Sequence, residues 1–379
     1  MISSSAAVLA ELRADPEAFG PLSGRALLAV DAASADAARV GELVQRLPCV
    51  CVAVADDPQA TPGEITTAGF DILLTGRPHA PRPWVSVPGA VTATVDLLFA
   101  AAAANPFAAA ALVQLLRSSN GLDIRDAVVA ESFAYSALQA GPEHARWLAR
   151  RRHSARPVRG TDRRHAAPAR AGTVQRPRPG EREAPAVRST PTVLLAREGS
   201  TLVVTLNRPA VHNAVNTAVR DGLVGAFRLA GLDDDVTEIR LAGAGPSFSS
   251  GGDLVEFGTL PGPFEGHAVR TTRSIPLSLL ATGLPATAWV HGLCIGAGAE
   301  LPAFCGRVVA APDATFRLPE TAMGLVPGAG GTASLPRRIG RERATYLILS
   351  GQPIGAEQAL AWGLVDEIAA GPGAPPAGG

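Results

Sequence analysis

An α/β protein is predicted by three observations: short apolar strands alternate with helical periodicity, glycine-rich loops follow the strands, and the best-patterned run lies in the C-terminal half. Thr192 to Leu206 alternates around Glu198-Gly199, which predicts a hairpin entering a core. Asn213 is placed to cap a helix in which Val215, Val219, Leu223, Phe227 and Ala230 recur at helical spacing. Val236 to Ala242 reads as a strand ending in the loop GAGPSFSSGGDL, Pro285 to Val290 as a buried strand ending at His291-Gly292, and Arg307 to Ala311 as a third. Such an arrangement puts ligand chemistry at the carboxyl ends of strands.

At 379 residues and 47% hydrophobic composition, the chain is long enough for two or three domains and at least one sizeable core. Its net charge of zero conceals a segregation: Arg146 to Arg188 holds 13 arginines against Asp162, Glu181 and Glu183, a local +10 balanced by −10 elsewhere. Residues 146–191 are rich in Arg, Pro and Gly and poor in large aliphatics, a composition that does not repay the entropy of ordering, so they read as a linker. No aromatic side chain interleaves the arginines between Arg150 and Arg188, so a tether is favoured over a single-strand nucleic-acid arm. The four cysteines lack disulfide or zinc-ligand spacing, which makes a reducing cytoplasm the default. The acids in MISSSAAVLAELRADPEAFG interrupt any signal-peptide core. Leu97 to Leu116 approaches membrane-spanning length but is rich in alanine and is broken at Asn105-Pro106, so a pair of packed helices is expected there instead.

Two acids carry the chemical signal. Glu300 and Glu320 each sit beside a glycine-rich turn in VHGLCIGAGAELPAFCGRVVAAPDATFRLPETAMGLVPGAGGTASLP. Carboxylates supply a proton donor and acceptor, and backbone amides freed by such turns can cradle developing negative charge. Taken singly, Glu300 also suits a first-turn helix charge, Glu320 a solvated loop acid and Asp253 a loop-amide acceptor. PGAGGT is not followed by the lysine of a phosphate loop, no GxGxxG opens the module, and no GxSxG surrounds Ser249 or Ser250.

Residues 192–369 resemble the crotonase superfamily, the enoyl-CoA hydratases and isomerases. LNRPAVHNAV, SFSSGGDL, HGLCIGAGAEL, FRLPETAMGLVPGAGGTASLPRRIG and LSGQPIGAEQALAWGLVDEI occur in the family's order across nearly the whole module. The resemblance implies a spiral of repeated ββα units, an oxyanion hole formed by the N–H groups of Gly252 and Ala297, and catalysis by Glu300 and Glu320. It further implies substrate contacts at Ser250, Gly251, Asp253, Leu254, Gly296 and Gly328. Relatives usually have glycine where Ala297 stands; the amide survives that change, and an ordinary negative φ is expected there. The implied reaction is hydration of an enoyl-CoA, with no metal and no cofactor beyond the substrate's own CoA. Which glutamate is acid and which base stays open, and the same enolate chemistry serves double-bond isomerisation, a cofactor-free oxygenase or, without turnover, an acyl-CoA-binding scaffold. The implied partners are acyl-CoA and further copies of the chain in a trimer or hexamer, with no nucleic acid and no membrane.

The family's modules continue past the equivalent of Ile368 into helices that trimerise subunits and cover the acyl pocket, whereas here a Gly/Pro/Ala tail, residues 370–379, follows and is expected to be disordered. Residues 97–152 are similar in layout to those closing helices, and Arg25 to Asp56 resembles a module's early strand, helix and strand. Residues 1–145 therefore read as a smaller α/β segment, a degenerate crotonase-like repeat with no active site of its own, whose helices pack on the catalytic module and cover it.

Overall fold

The structure, a computed structural model, describes residues 2–34, 36–58, 69–87, 89–154, 190–259 and 262–369. The tail and most of the tether predicted from sequence lie outside these residues.

In the N-terminal half, α1 (Ser5–Ala14) precedes β1 (Leu27–Asp31), α2 (Ala37–Val44), β2 (Val50–Ala55), β3 (Ile72–Thr75) and β4 (Val85–Ser86). The strands form a parallel sheet in the order β1-β2-β3-β4. Alternation along each strand divides the side chains between two faces. Leu28, Val30, Cys51, Ala53 and Leu73 join one apolar cluster with Val8, Val40 and Val44 of α1 and α2. Leu27, Ala29, Val50, Val52, Ile72 and Leu74 face the opposite way, into a core shared with the C-terminal half. All four cysteines are buried and free.

Four helices follow: α3 (Val91–Ala104), α4 (Pro106–Ser118), α5 (Ile124–Gln139) and α6 (Pro142–Ser154). Pro106 opens α4, where its missing N–H costs no helical bond, and α3 and α4 meet at 106°. No single helix among the described residues is long and apolar enough to cross a membrane. The Glu143 carboxylate accepts from Phe107 N at 2.8 Å and Ala108 N at 2.9 Å, satisfying two of the amides that any helix start leaves unpaired. Helix α6 runs to Ser154, so residues 146–154 are helical and not part of a tether. Leu148 and Trp147 pack toward Gly258 and Phe257, and this apolar anchorage explains why the arginines beside them do not unravel the helix.

In the C-terminal half, β5 (Val193–Glu198) and β6 (Thr201–Leu206) form the hairpin, with Gly199 at φ 61° in its turn. Helix α7 (Thr217–Ala230) is capped by Asn216, whose side chain accepts from Val219 N, and not by Asn213. The sequence pattern misplaced the cap because Asn213 serves the loop instead: it sits at φ 54° and binds three backbone groups. Then come β7 (Glu238–Gly243), α8 (Pro263–Thr272), α9 (Ile275–Ala281), β8 (Ala286–Val290), β9 (Leu293–Ile295), α10 (Ala297–Glu300), β10 (Arg307–Ala310) and β11 (Thr315–Arg317). The chain continues through α11 (Gly331–Ile339), α12 (Arg341–Ser350), β12 (Ile354–Gly355), α13 (Ala356–Trp362) and β13 (Glu367–Ile368). A six-stranded sheet in the order β13-β10-β8-β7-β6-β5 is parallel except for the β5–β6 hairpin, and β12-β11-β9 form a second sheet beside it.

The two halves share one apolar core, in which Val95, Leu98, Leu112 and Leu116 lie with Leu347, Ile348 and Leu349 of α12. Polar ties surround it. Arg343 donates to the carbonyls of Trp84 and Ala80, Arg341 to that of Phe70, and Arg337 to that of Leu122. Arg343 is buried, and its bonds to main-chain oxygens avoid an unsatisfied donor at the seam.

Candidate active site

Two chain segments meet at the carboxyl ends of β7 and β9. The loop after β7 is tied down by Asn213, whose side-chain amide donates to Ala244 O and Ser247 O at 2.8 Å each. Ser249 then pairs with β9: its N–H donates to Leu293 O at 3.0 Å, and its carbonyl accepts from Ile295 N at 3.0 Å. The next residue but one, Gly251, has φ 87°, and a Cβ there would stand 2.5 Å from Ile295 O. Only glycine meets both demands.

After β9, Gly296 takes the positive φ, 52°, and Ala297 opens α10 outside the left-handed region. A Cβ on Gly298 would collide with the Ser249 carbonyl, so the small-residue run GAGAE is what lets α10 press onto the loop. The helix lasts one turn, and Pro302 starts a separate 3₁₀ turn. Among the described residues, the amides of Gly252 and Ala297 donate to no protein acceptor, whereas Gly251 N donates to Ser249 Oγ and Gly296 N to Arg317 O.

The two acids flank this junction. Glu320 places Oε1 against Gly296, 2.6 Å from where a Cβ would stand. Although the residue as a whole keeps some exposure, its Oε2 is shut off from solvent and has no partner among the described residues. Glu300 is buried, and its Oε2 accepts from Ala329 N at 2.7 Å and Gly331 N at 2.9 Å. Burial raises the proton affinity of both carboxyls; the two amides moderate the effect at Glu300, while the Glu300 charge raises Glu320 further. One glutamate is thus placed to ionise and the other to keep its proton.

A third acid comes from the N-terminal half. Glu131 of α5 is buried; Oε1 accepts from Gly330 N at 2.6 Å, and Oε2 accepts from Thr332 N and Thr332 Oγ1 at 2.7 Å each. Four consecutive amides, 329 to 332, therefore alternate between Glu300 and Glu131, with Gly330 at φ 98° turning them to opposite sides. Burial and the Glu300 charge push the Glu131 carboxyl upward as well. One helical turn on, the Tyr135 ring lies against Gly328, and burial raises the proton affinity of its hydroxyl. From α6, His144 Nδ1 lies 3.0 Å from Met323 O, and His144 stacks on Trp147, which in turn packs on Phe257. No group of three His, Cys, Asp or Glu among the described residues is arranged to hold a metal ion.

The other residues proposed from sequence occupy the rim. Asp253 pairs with Arg208 at 2.9 Å and accepts from Val255 N, Ser250 Oγ donates to Val211 O, and Leu254 is exposed. Gly328 lies under Tyr135, and Gly296 beside Glu320. Sequence reasoning did not name Glu131 or Tyr135; it expected the first half to cover the pocket with its helices while having no active site of its own. The available signal was spacing: Ala127, Val128, Glu131, Ser132 and Leu138 share the buried stripe of α5, and an acid on such a stripe needs a partner.

Residues 196–372 match the family model for enoyl-CoA hydratase/isomerase. The chain is 36% identical to 2,3-dehydroadipyl-CoA hydratase of Escherichia coli (strain K12) over 176 residues, 46% of this chain and 68% of that protein. It belongs to the enoyl-CoA hydratase/isomerase family, the crotonase superfamily. A probable enoyl-CoA hydratase of Mycobacterium bovis is 34% identical over 179 residues, 47% of this chain and 68% of that protein. The solved enoyl-CoA hydratase of Mycobacterium smegmatis is 33% identical, covering 48% of this chain and 71% of that one, with a TM-score of 0.45.

Proposed function

We propose that the protein hydrates a 2-enoyl-CoA thioester, or runs the reverse dehydration. The observation that carries this reading is the meeting of two unpaired amides, Gly252 and Ala297, with two carboxyls of unequal environment. Glu300, ionised, takes a proton from water as the water oxygen bonds to the β-carbon. The π electrons of the double bond move to the thioester carbonyl, and the resulting enolate oxygen is held by the amides of Gly252 and Ala297, each worth ~3 kcal/mol of barrier. Glu320 delivers its proton to the α-carbon as the enolate collapses. Glu300 ends protonated and Glu320 ionised, and proton exchange restores both. Environments that push two carboxyls apart in proton affinity are how one site runs acid and base chemistry together. Helices α3 to α6 supply the cover that excludes water.

The test is turnover of crotonyl-CoA, followed by loss of the conjugated thioester absorbance. Glu300→Gln and Glu320→Gln should each lower kcat by about 10²- to 10⁴-fold while acyl-CoA binding persists. A silent wild type that still binds acyl-CoA would instead assign the protein to non-catalytic thioester binding.

A further inference from the structure

Helix α5 of the N-terminal half brings Tyr135 to the turn that holds Glu300. The ring lies against Gly328, where a Cβ would stand 2.5 Å from Cε2, 2.6 Å from Cδ2 and 3.3 Å from Cζ. Because the phenolic oxygen is bonded to Cζ, the polar end of the ring lies near that glycine too. The next residue, Ala329, donates its N–H to Glu300 Oε2 at 2.7 Å, so the phenol and the carboxylate meet on one stretch of backbone. Arg270 of α8 fixes the ring from its face: the guanidinium lies 4.3 Å from the ring centre and donates to Ser132 Oγ at 3.2 Å and Ser136 Oγ at 2.5 Å on the same helix.

Packing alone does not call for the hydroxyl. A phenylalanine would fill the same space and present the same face to Arg270. The Tyr135 side chain is half-buried, and its hydroxyl makes no hydrogen bond among the described residues. Burial raises its proton affinity, Arg270 opposes the rise, and the charges of Glu320, Glu300 and Glu131 add to it, so the phenol stays neutral. A neutral phenol donates one hydrogen bond and accepts others, and a half-buried one needs a partner. The acids leave matching vacancies in their bonding: Glu300 Oε2 is taken by the amides of Ala329 and Gly331, whereas Glu300 Oε1 and Glu320 Oε2 have no partner among the described residues.

We propose that Tyr135 is a further site residue, whose hydroxyl oxygen accepts one hydrogen of the attacking water while Glu300 Oε1 accepts the other. Held at both hydrogens, the water turns a lone pair toward the β-carbon. Glu300 alone takes a proton; Tyr135 keeps its own and acts by orienting the nucleophile. The inference rests on the hydratase reading and deepens it by giving the water a second anchor, drawn from the half of the chain outside the family module.

The experiment uses the full chain and two readouts. Tyr135 and Tyr346 are its only tyrosines, so 3-fluorotyrosine labelling gives two fluorine resonances, and Tyr135→Phe assigns them. Butyryl-CoA, which has no double bond to hydrate, should shift the Tyr135 signal and leave in place that of Tyr346, which packs edge-on to Trp362. Because Tyr135→Phe keeps the ring, it should bind butyryl-CoA as the wild type does, while kcat for crotonyl-CoA falls about tenfold at unchanged KM, the loss of one hydrogen bond. A Tyr135 signal that ignores bound butyryl-CoA, or a phenylalanine variant with wild-type kcat, overturns the inference and leaves the hydratase reading intact. A variant that loses thermal stability and butyryl-CoA binding along with kcat reduces Tyr135 to a packing residue. A wild type that never turns over crotonyl-CoA sinks the inference together with the hydratase reading.

Discussion

The two halves of the chain contribute to one candidate site in opposite ways. The C-terminal half carries its chemistry in residues that backbone geometry demands: Gly251 and Gly296 at positive φ, Gly298 under the Ser249 carbonyl, and acids following the turns. The N-terminal half lacks these motifs, yet it places Glu131 and Tyr135 against the Gly328–Thr332 turn and His144 against Met323, and it shares the apolar core. Turn-forming residues are legible because few side chains can replace them; packing residues are not, because many can. A half without motifs can therefore still complete a site.

The most severe way to break the comparison is to remove residues 1–190. The remaining module would expose the face of α12 that packs on α3 and β3, and would leave the amides of Gly330 and Thr332 without Glu131. Loss of soluble expression or of all crotonyl-CoA turnover is expected. A soluble fragment with full activity would show that the first half is dispensable.

Next in size is Gly251→Ala. The backbone there is left-handed and the new methyl would stand 2.5 Å from Ile295 O, so about 1–3 kcal/mol of strain adds to the clash. The adjacent Gly252 amide would shift, and losing one oxyanion donor typically costs about 10²- to 10³-fold in kcat. Thermal unfolding and kcat together check this; retention of both would remove the loop from the chemistry.

Much of the C-terminal fold was legible. The β5–β6 hairpin, α7 and the three parallel strands fall within a few residues of their sequence expectations, since their apolar periodicity is uninterrupted. The α7 cap was misplaced because Asn213 and Asn216 are both good caps, and only the tertiary contacts of Asn213 decide between them. Residues 146–152 fell under two expectations, closing helix by resemblance and tether by composition; the helix prevails because Trp147 and Leu148 draw support from Phe257 and Gly258, far away in sequence. Glu131 was hidden for the same reason, as its four-amide turn lies in the other half.

The smallest effect, and the one that sharpens the comparison most, is that of Glu131→Gln. In the folded protein burial and the Glu300 charge push Glu131 from the ordinary carboxyl value of 4.5 up to about 8. The native state then binds more protons than the unfolded chain between those values, so stability is highest below the lower one and falls as pH rises toward the upper. Glutamine cannot ionise, so the variant should lose less stability than wild type across that window in denaturant titrations. Some slope remains, because Glu300 and Glu320 are raised as well. The side-chain NH₂ of glutamine also faces an amide that the carboxylate had accepted from, which loosens the turn behind Glu300. A fall of about tenfold in kcat with little change in KM is expected from one mispaired hydrogen bond. Parallel pH profiles and unchanged kcat would mean that α5 covers the site without shaping it.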